Sequence, residues 1–207
     1  MISASFLAIN DNLKANIKKL DNTTIDMLHV DIMDGVFVPN KTFDNDEIVE
    51  FLRDTKKKKD IHLMVNDIYK YVDCFKVLNP NNITFHYEAS SNIIGVIEYI
   101  KSLNIKVGMA IKPNTNVCEI LKYLKYLDLV LVMSVEPGMG GQKFIENSVN
   151  KINDLYEIRN RYDYNFVIEV DGGINNITSK LCDKADILVV GSYITGGNYQ
   201  EQINNIK

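Results

Sequence analysis

Eight short apolar runs, each followed by a longer polar segment whose apolar residues recur at helical spacing, divide this chain from end to end. The runs are Ile2 to Ala8, Met27 to Met33, Asp60 to Val65, Ile83 to Glu88, Lys106 to Ile111, Leu129 to Val135, Phe166 to Asp171 and Ile187 to Gly191. A near-continuous apolar run is the signature of a strand buried on both faces, and a helix after each strand returns the chain to begin the next one parallel to it. Helices are expected over Asn12 to Leu20, Asp46 to Thr55, Ile68 to Leu78, Asn92 to Leu103, Asn116 to Leu127, Glu146 to Arg161, Ile177 to Cys182 and after Gly197, several opening at an Asn, Asp or Ser suited to capping. Eight strand–helix units predict a single-domain (β/α)8 TIM barrel of class α/β over residues 1–207. A chain of this length sits near the lower end of that fold's range, roughly 200 residues upward.

Composition narrows the function. The 23 basic and 27 acidic residues leave a net charge of −4, which argues against a general nucleic-acid binder or a membrane-surface protein. The Lys56-Lys57-Lys58-Lys59 run lies between a helix and a strand and reads as solvated surface. Cys74, Cys118 and Cys182 show no metal or disulfide spacing, which fits reduced thiols. With no signal segment and no apolar stretch of membrane-spanning length, a cytoplasmic protein is expected.

Chemistry concentrates near the ends of the strands, where barrels of this kind carry their sites. In Leu28-His29-Val30-Asp31-Ile32-Met33-Asp34-Gly35, side chains alternate between faces, so His29, Asp31 and Met33 share one. An imidazole and a carboxylate side by side inside a barrel are costly unless paired or metal-bound. His62 and Asp171 recur in equally strand-like settings, which makes four ligands available to a divalent metal. Ser5 completes the polar cluster on the first strand. Gly172 and Gly173, with Gly191 and Ser192, end the last two strands, where backbone N–H groups commonly meet a phosphate. The glycines of Pro137-Gly138-Met139-Gly140-Gly141-Gln142 suit a mobile lid. His86 and Glu88 share strand parity and read as structural, with Lys106 as their partner. Asp34 is expected to bind backbone N–H groups of its own turn. Met33, Met64 and Met133 point inward near the site.

Together, His29-Val30-Asp31-Ile32-Met33-Asp34-Gly35, His62-Leu63-Met64-Val65, His86-Tyr87-Glu88-Ala89, Gly108-Met109-Ala110-Ile111-Lys112-Pro113, Met133 through Gln142 and Glu169-Val170-Asp171-Gly172-Gly173-Ile174 closely resemble the ribulose-phosphate 3-epimerases, in that family's order from Ser5 to Gly191. The resemblance implies a single divalent metal, zinc or ferrous iron with manganese and cobalt as alternatives, held by His29, Asp31, His62 and Asp171. It implies Asp31 and Asp171 as the acid/base pair. It also implies substrate contacts from Ser5, His62, Gly138, Met139, Gly140, Gly141, Gly172, Gly173, Gly191 and Ser192. The implied reaction, a step of the pentose phosphate pathway, interconverts D-ribulose 5-phosphate and D-xylulose 5-phosphate by inversion at C3. A small sugar phosphate is then the partner, with neither nucleic acid nor membrane, and a homo-oligomer is the expected assembly. Met139 stands where the family usually has phenylalanine, Tyr193 where it has a small residue, and the segment from Asn175 to Ala185 is shorter. Competing readings are a hexulose-phosphate epimerase with the same machinery, a metal-free sugar-phosphate enzyme using lysine, and a non-catalytic sugar-phosphate binder. The chain lacks an Asp-x-Lys-x-x-Asp strand motif, which counts against the second.

Overall fold

All eight apolar runs form strands, each paired in parallel with its sequence neighbours, and the first pairs with the last to close the ring. The computed structural model describes residues 1–9, 11–42 and 44–207. The strands are β1 (Ile2–Ser5), β2 (Met27–Met33), β3 (Lys58–Met64), β4 (Asn82–His86), β5 (Lys106–Ile111), β6 (Leu129–Met133), β7 (Val167–Asp171) and β8 (Ile187–Val190). Around them lie α1 (Leu13–Asp21), α2 (Asn45–Arg53), α3 (Ile68–Phe75), α4 (Ile93–Ser102), α5 (Val117–Ile120), α6 (Ser148–Tyr162), α7 (Ser192–Thr195) and α8 (Tyr199–Asn204).

Strand parity sorts the core into two parts. Outward residues such as Leu28, Val30, Ile32, Ile61, Leu63, Phe85, Val107, Val130 and Ile168 are buried under the helices, packed on Ile17, Leu20, Leu52, Phe75, Ile100, Ile120 and Leu155. Each fully buried aliphatic side chain contributes about 1.5–3 kcal/mol. Inward residues Met27, Ala110, Leu129, Leu131, Met133 and Ile187 form a separate cluster that fills the lumen. Helix starts follow capping chemistry: the Asp44 side chain accepts from the N–H groups of Asp46 and Glu47, Asp67 from Lys70, Asn92 from Gly95 and Asn198 from Glu201, and Asn116 with Glu119 forms a capping box. At the N-terminal rim a repeated device pins strand starts. Asp26, Asp128 and Asp186 accept from the N–H groups of Ile2, Val107 and Ile168 at 2.7, 2.9 and 2.7 Å.

Several expected boundaries shift for local reasons. β1 stops at Ser5 because the Leu7 N–H turns back to the Ser5 hydroxyl at 3.2 Å. β4 stops at His86, and Tyr87–Ala89 forms a 3-10 turn that carries Glu88 off the strand. β6 stops at Met133: the Ser134 N–H makes the last ladder bond, to the Asp171 carbonyl at 2.7 Å, and the Ser134 hydroxyl donates to the next carbonyl, that of Gly172, at 2.7 Å. The helix expected to Leu127 is α5 followed by a 3-10 segment, Leu121–Tyr126. The tighter winding still buries Val117, Ile120, Leu124 and Leu127 while rising about 2.0 Å per residue toward β6. Ile177 to Cys182 yields only a 3-10 turn, Thr178–Leu181. Ile177 and Leu181 are 69% and 44% exposed, so this segment has no apolar face to bury. The short helix α7 directly after Gly191 was not expected.

Candidate active site and metal centre

His29 and Asp31 share the inward face of β2, and the register pairs Asp31 with His62 on β3, so the three side chains meet in the lumen. Asp171 joins them from the last position of β7. One donor atom from each of the four residues lies within 4.8 Å of all the others. The Asp31 Oδ1 is 3.3 Å from the His29 Nε2 and 3.1 Å from the His62 Nδ1, and the Asp171 Oδ2 is 3.9 Å from both nitrogens. Nitrogen and oxygen ligands sit about 2.0–2.2 Å from a four-coordinate divalent ion, which separates them from one another by roughly 3.3 Å. The His29 Nε2 is the sharper observation. It is fully buried and has no hydrogen-bond partner among the described residues. A buried nitrogen aimed at two carboxylates and left unpaired fits a metal ligand, and this cluster could hold a divalent cation.

A second polar layer lies directly below. The His29 Nδ1 is 2.6 Å from the Asp60 Oδ2, which also accepts from the Ser3 hydroxyl at 2.7 Å, while the Asp60 Oδ1 accepts from the Asn82 amide at 2.6 Å. Glu169 completes the layer, and its buried carboxyl oxygens have no hydrogen-bond partner. Sequence reading missed Asp60 and Glu169. The signal was present, since Asp60 and Glu169 stand two residues before His62 and Asp171 and therefore share their inward parity.

The environment separates these acids. Burial would raise the Asp31 carboxyl, but the facing imidazoles, His29 first and then His62, hold it well below the usual carboxylate range. Asp171 goes the other way, pushed up to about 6 by burial and by the Asp31 charge. Burial and the neighbouring Asp60 charge raise Glu169 well above its ordinary value. Burial would lower His29, yet the Asp60 and Asp31 charges raise it well above the ordinary value.

His86 lies closer to the site than expected. Its Nε2 is 2.9 Å from the His62 Nε2, and its Nδ1 is 3.2 Å from the Glu88 Oε2. Lys106 is not the partner of this pair. It stands opposite Asn82 at the start of β5, whereas His86 pairs with Ala110 near that strand's other end. The Glu88 carboxylate instead accepts from the Lys112 N–H at 2.8 Å and from the Thr115 hydroxyl. Asp34 behaves as expected, its Oδ1 accepting from the N–H groups of Val36 and Phe37, and its Oδ2 additionally takes the Asn66 N–H at 2.7 Å.

Above the cluster opens a cleft. Ser5, Asp31, Asp171, Met64 and Met133 line it together with Gly138, Met139, Gly140, Gly141, Gly172, Gly173, Gly191 and Ser192. His29 and His62 are fully buried beneath it, below the residues that line its wall. Met33 packs with Met64 and Val38 beside it. The Ser5 hydroxyl donates to the Asp31 Oδ2 at 2.8 Å. Two glycines are dictated by the backbone. Gly172 and Gly173 have φ of +123° and +63°, and a Cβ would stand 2.5 Å from Val135 Cγ2 or 2.6 Å from the Phe144 nitrogen. The loop carrying Met139 is tied by the Asn40 amide, which donates to the Gly138 carbonyl at 2.8 Å, and by Gln142, which donates to the carbonyls of Glu136 and Met139.

The model of the ribulose-phosphate 3 epimerase family matches residues 1–195. The chain is 37% identical over 198 residues to the ribulose-phosphate 3-epimerase of Aquifex aeolicus, covering 95% of this chain and 87% of the relative. It is 38% identical over 215 residues to that of Buchnera aphidicola, covering 100% and 94%. Among solved structures, KGPDC from Streptococcus mutans superposes with a TM-score of 0.72 at 15% identity, covering 99% of this chain and 94% of the other, which bears on the fold alone.

Proposed function

This chain belongs to the ribulose-phosphate 3-epimerase family, and from that premise we propose that it interconverts D-ribulose 5-phosphate and D-xylulose 5-phosphate by moving a proton between the two faces of C3. The observation that carries the reading is the placement of Asp31 and Asp171 in one cleft, above two buried histidine nitrogens. Residues 1–207 act as one catalytic barrel. A cytoplasmic location fits the three free cysteines, and no described helix is long and apolar enough to cross a membrane. Homo-oligomeric assembly is the expectation to test by sedimentation.

Inversion requires one group to take the C3 proton and another to return one from the opposite side. Asp31 and Asp171 are the two groups, and they exchange roles with the direction of reaction. A divalent cation held by His29, Asp31, His62 and Asp171, zinc or ferrous iron in the first instance, would act as a Lewis acid and ease the negative charge that forms on the sugar when C3 loses its proton. Ser5 holds the Asp31 carboxylate through its hydroxyl and faces the same cleft. Met64 and Met133 give the floor a polarizable, water-excluding surface beside the reacting carbons. Gly138 to Gly141, Gly172, Gly173, Gly191 and Ser192 receive the sugar chain and phosphate through backbone N–H groups, where the lack of a Cβ allows close approach.

The test is conversion of ribulose 5-phosphate by metal-stripped and metal-restored protein, with allulose 6-phosphate measured in parallel. Activity that disappears on stripping, returns with zinc or iron and favours the pentulose is the expected result. Full turnover by the stripped protein would sink the metal role, and faster turnover of the hexulose would reassign the substrate.

A further inference from the structure

Each of the two candidate metal-binding histidines has its far nitrogen engaged, but by different means. His29 meets the Asp60 carboxylate directly at 2.6 Å. His62 meets another imidazole, that of His86, at 2.9 Å. Two ring nitrogens at that distance share one proton, so one must donate and the other accept. Which way it runs decides whether the His62 Nδ1 carries a lone pair or a hydrogen.

We propose that Glu88 and His86 form a one-way hydrogen-bond relay that holds His62 in its Nε2–H form, leaving the Nδ1 lone pair free for a cation; the proposal rests on the metal-binding reading above. Glu88 sets the direction. Its carboxylate can only accept, and the His86 Nδ1 faces it at 3.2 Å, so the His86 proton sits on Nδ1. The His86 Nε2 is then bare and accepts from the His62 Nε2–H. The reverse polarity would set a bare His86 Nδ1 against carboxylate lone pairs. It would also place a hydrogen on the His62 Nδ1, aimed at the Asp31 oxygen 3.1 Å away and occupying the ligand position.

The relay is anchored at its outer end. Glu88 takes the Lys112 N–H at 2.8 Å and the Thr115 hydroxyl, and the loop bearing both is gripped by the Lys151 ammonium of α6, which donates to the carbonyls of Lys112, Pro113 and Thr115 at 2.9, 2.7 and 2.6 Å. His62 and His86 have no exposed surface, so water does not compete for their nitrogens. Phe37 packs on the His86 ring at 4.8 Å between centroids, and the Lys112 ammonium stands 4.1 Å from the Phe37 ring. His86 and Glu88 are thus positioning residues, acting on the site through His62.

Divalent-metal affinity, read by titrating stripped protein with zinc against a chelator, tests this without reference to turnover. His86→Phe keeps a ring and removes the acceptor, and it should weaken zinc binding by the ~10–100-fold typical of lost outer-shell partners. His86→Gln, whose amide oxygen can accept from the His62 Nε2–H, should recover most of that loss. Zinc-loaded wild-type protein should show His86 in ¹⁵N spectra as the Nδ1–H tautomer, the one that free histidine disfavours in water. Wild-type affinity in His86→Phe, equal losses in both variants, or an Nε2–H tautomer for His86 would each overturn the relay. If His86→Phe fails to fold, the wild-type tautomer decides alone. A wild-type protein that binds no divalent metal would overturn the metal reading itself, and the relay with it.

Discussion

From β2 to β4 the buried inward side chains are mostly polar, His29, Asp31, Asp60, His62, Asn82, Thr84 and His86 beside Met27, Met33 and Met64, whereas from β5 to β6 they are the apolar Ala110, Leu129, Leu131 and Met133. Both walls obey the same alternation and enclose the same lumen. The apolar wall is held by packing, which tolerates small shifts and stabilises whatever its neighbours do. The polar wall is stable only as a connected network, because each unpartnered buried group there costs about 1–3 kcal/mol. Changes in the polar wall should therefore remove activity and metal binding, whereas changes in the apolar wall should lower stability at little cost to the chemistry.

Replacing Asp31 or Asp171 by asparagine probes the polar side most severely, and each change should cost at least the ~10²–10⁴-fold of general acid–base catalysis at matched metal content. A single turnover in heavy water should give epimerised product already deuterated at C3, because the delivering carboxylate exchanges with solvent. Product that keeps its protium would point to one shared base. On the apolar side, Leu131→Ala should lower unfolding stability in denaturant by ~2–5 kcal/mol while leaving zinc affinity unchanged. A large loss of metal from that variant would break the division between the walls.

Glu88 belongs to the polar wall's outer support and gives it a pH signature. Burial would raise its carboxyl, but hydrogen bonds from His86, Thr115 and the Lys112 N–H hold it down to about 2, against an ordinary value of 4.5. A depressed carboxyl contributes stability above its unfolded pKa and loses it as pH falls through its folded one. Glu88→Gln should thus be less stable than the parent by ~1.5–3 kcal/mol at neutral pH. The gap should narrow from about pH 4.5 down to about pH 2. A gap that stays constant over that window would refute the ionised role. The smallest effect is expected at the lip of the cleft, where Met139 is 61% exposed. Met139→Phe should shift stability by less than ~0.5 kcal/mol, the usual limit for surface changes, and show itself only in KM.

The parts of this molecule that were legible in the sequence are those governed by local period. β2 and β5 begin and end where their apolar runs do, and the His29, Asp31, His62 and Asp171 cluster follows from parity within single strands. What was not legible depends on lateral register. Lys106 and Glu88 look compatible as a charge pair, but the Asn82–Lys106 and His86–Ala110 pairings place them at opposite ends of the barrel. Asp60 shares the inward parity of His62, but only its neighbour across the sheet, His29, reveals it as a hydrogen-bond partner. The contact of His62 with His86 likewise depends on register, since His62 pairs with Thr84 and His86 stands two residues further along β4.

The closure of β1 on β8 also has a consequence for how the chain comes into being. The Met1 ammonium donates to the Asp186 carbonyl at 2.8 Å across 185 residues of sequence. At a synthesis rate of about 5–20 residues per second, the first strand waits roughly 10–40 s for its second partner to be made. Throughout that interval one edge of β1 has no neighbour, and such an edge is where nascent chains stick to one another. The strand is suited to the wait. It spans only four residues, Ile2–Ser5, and two of them, Ser3 and Ser5, are polar, so a newly emerging chain offers its fellows a short and poorly adhesive ribbon until β8 arrives.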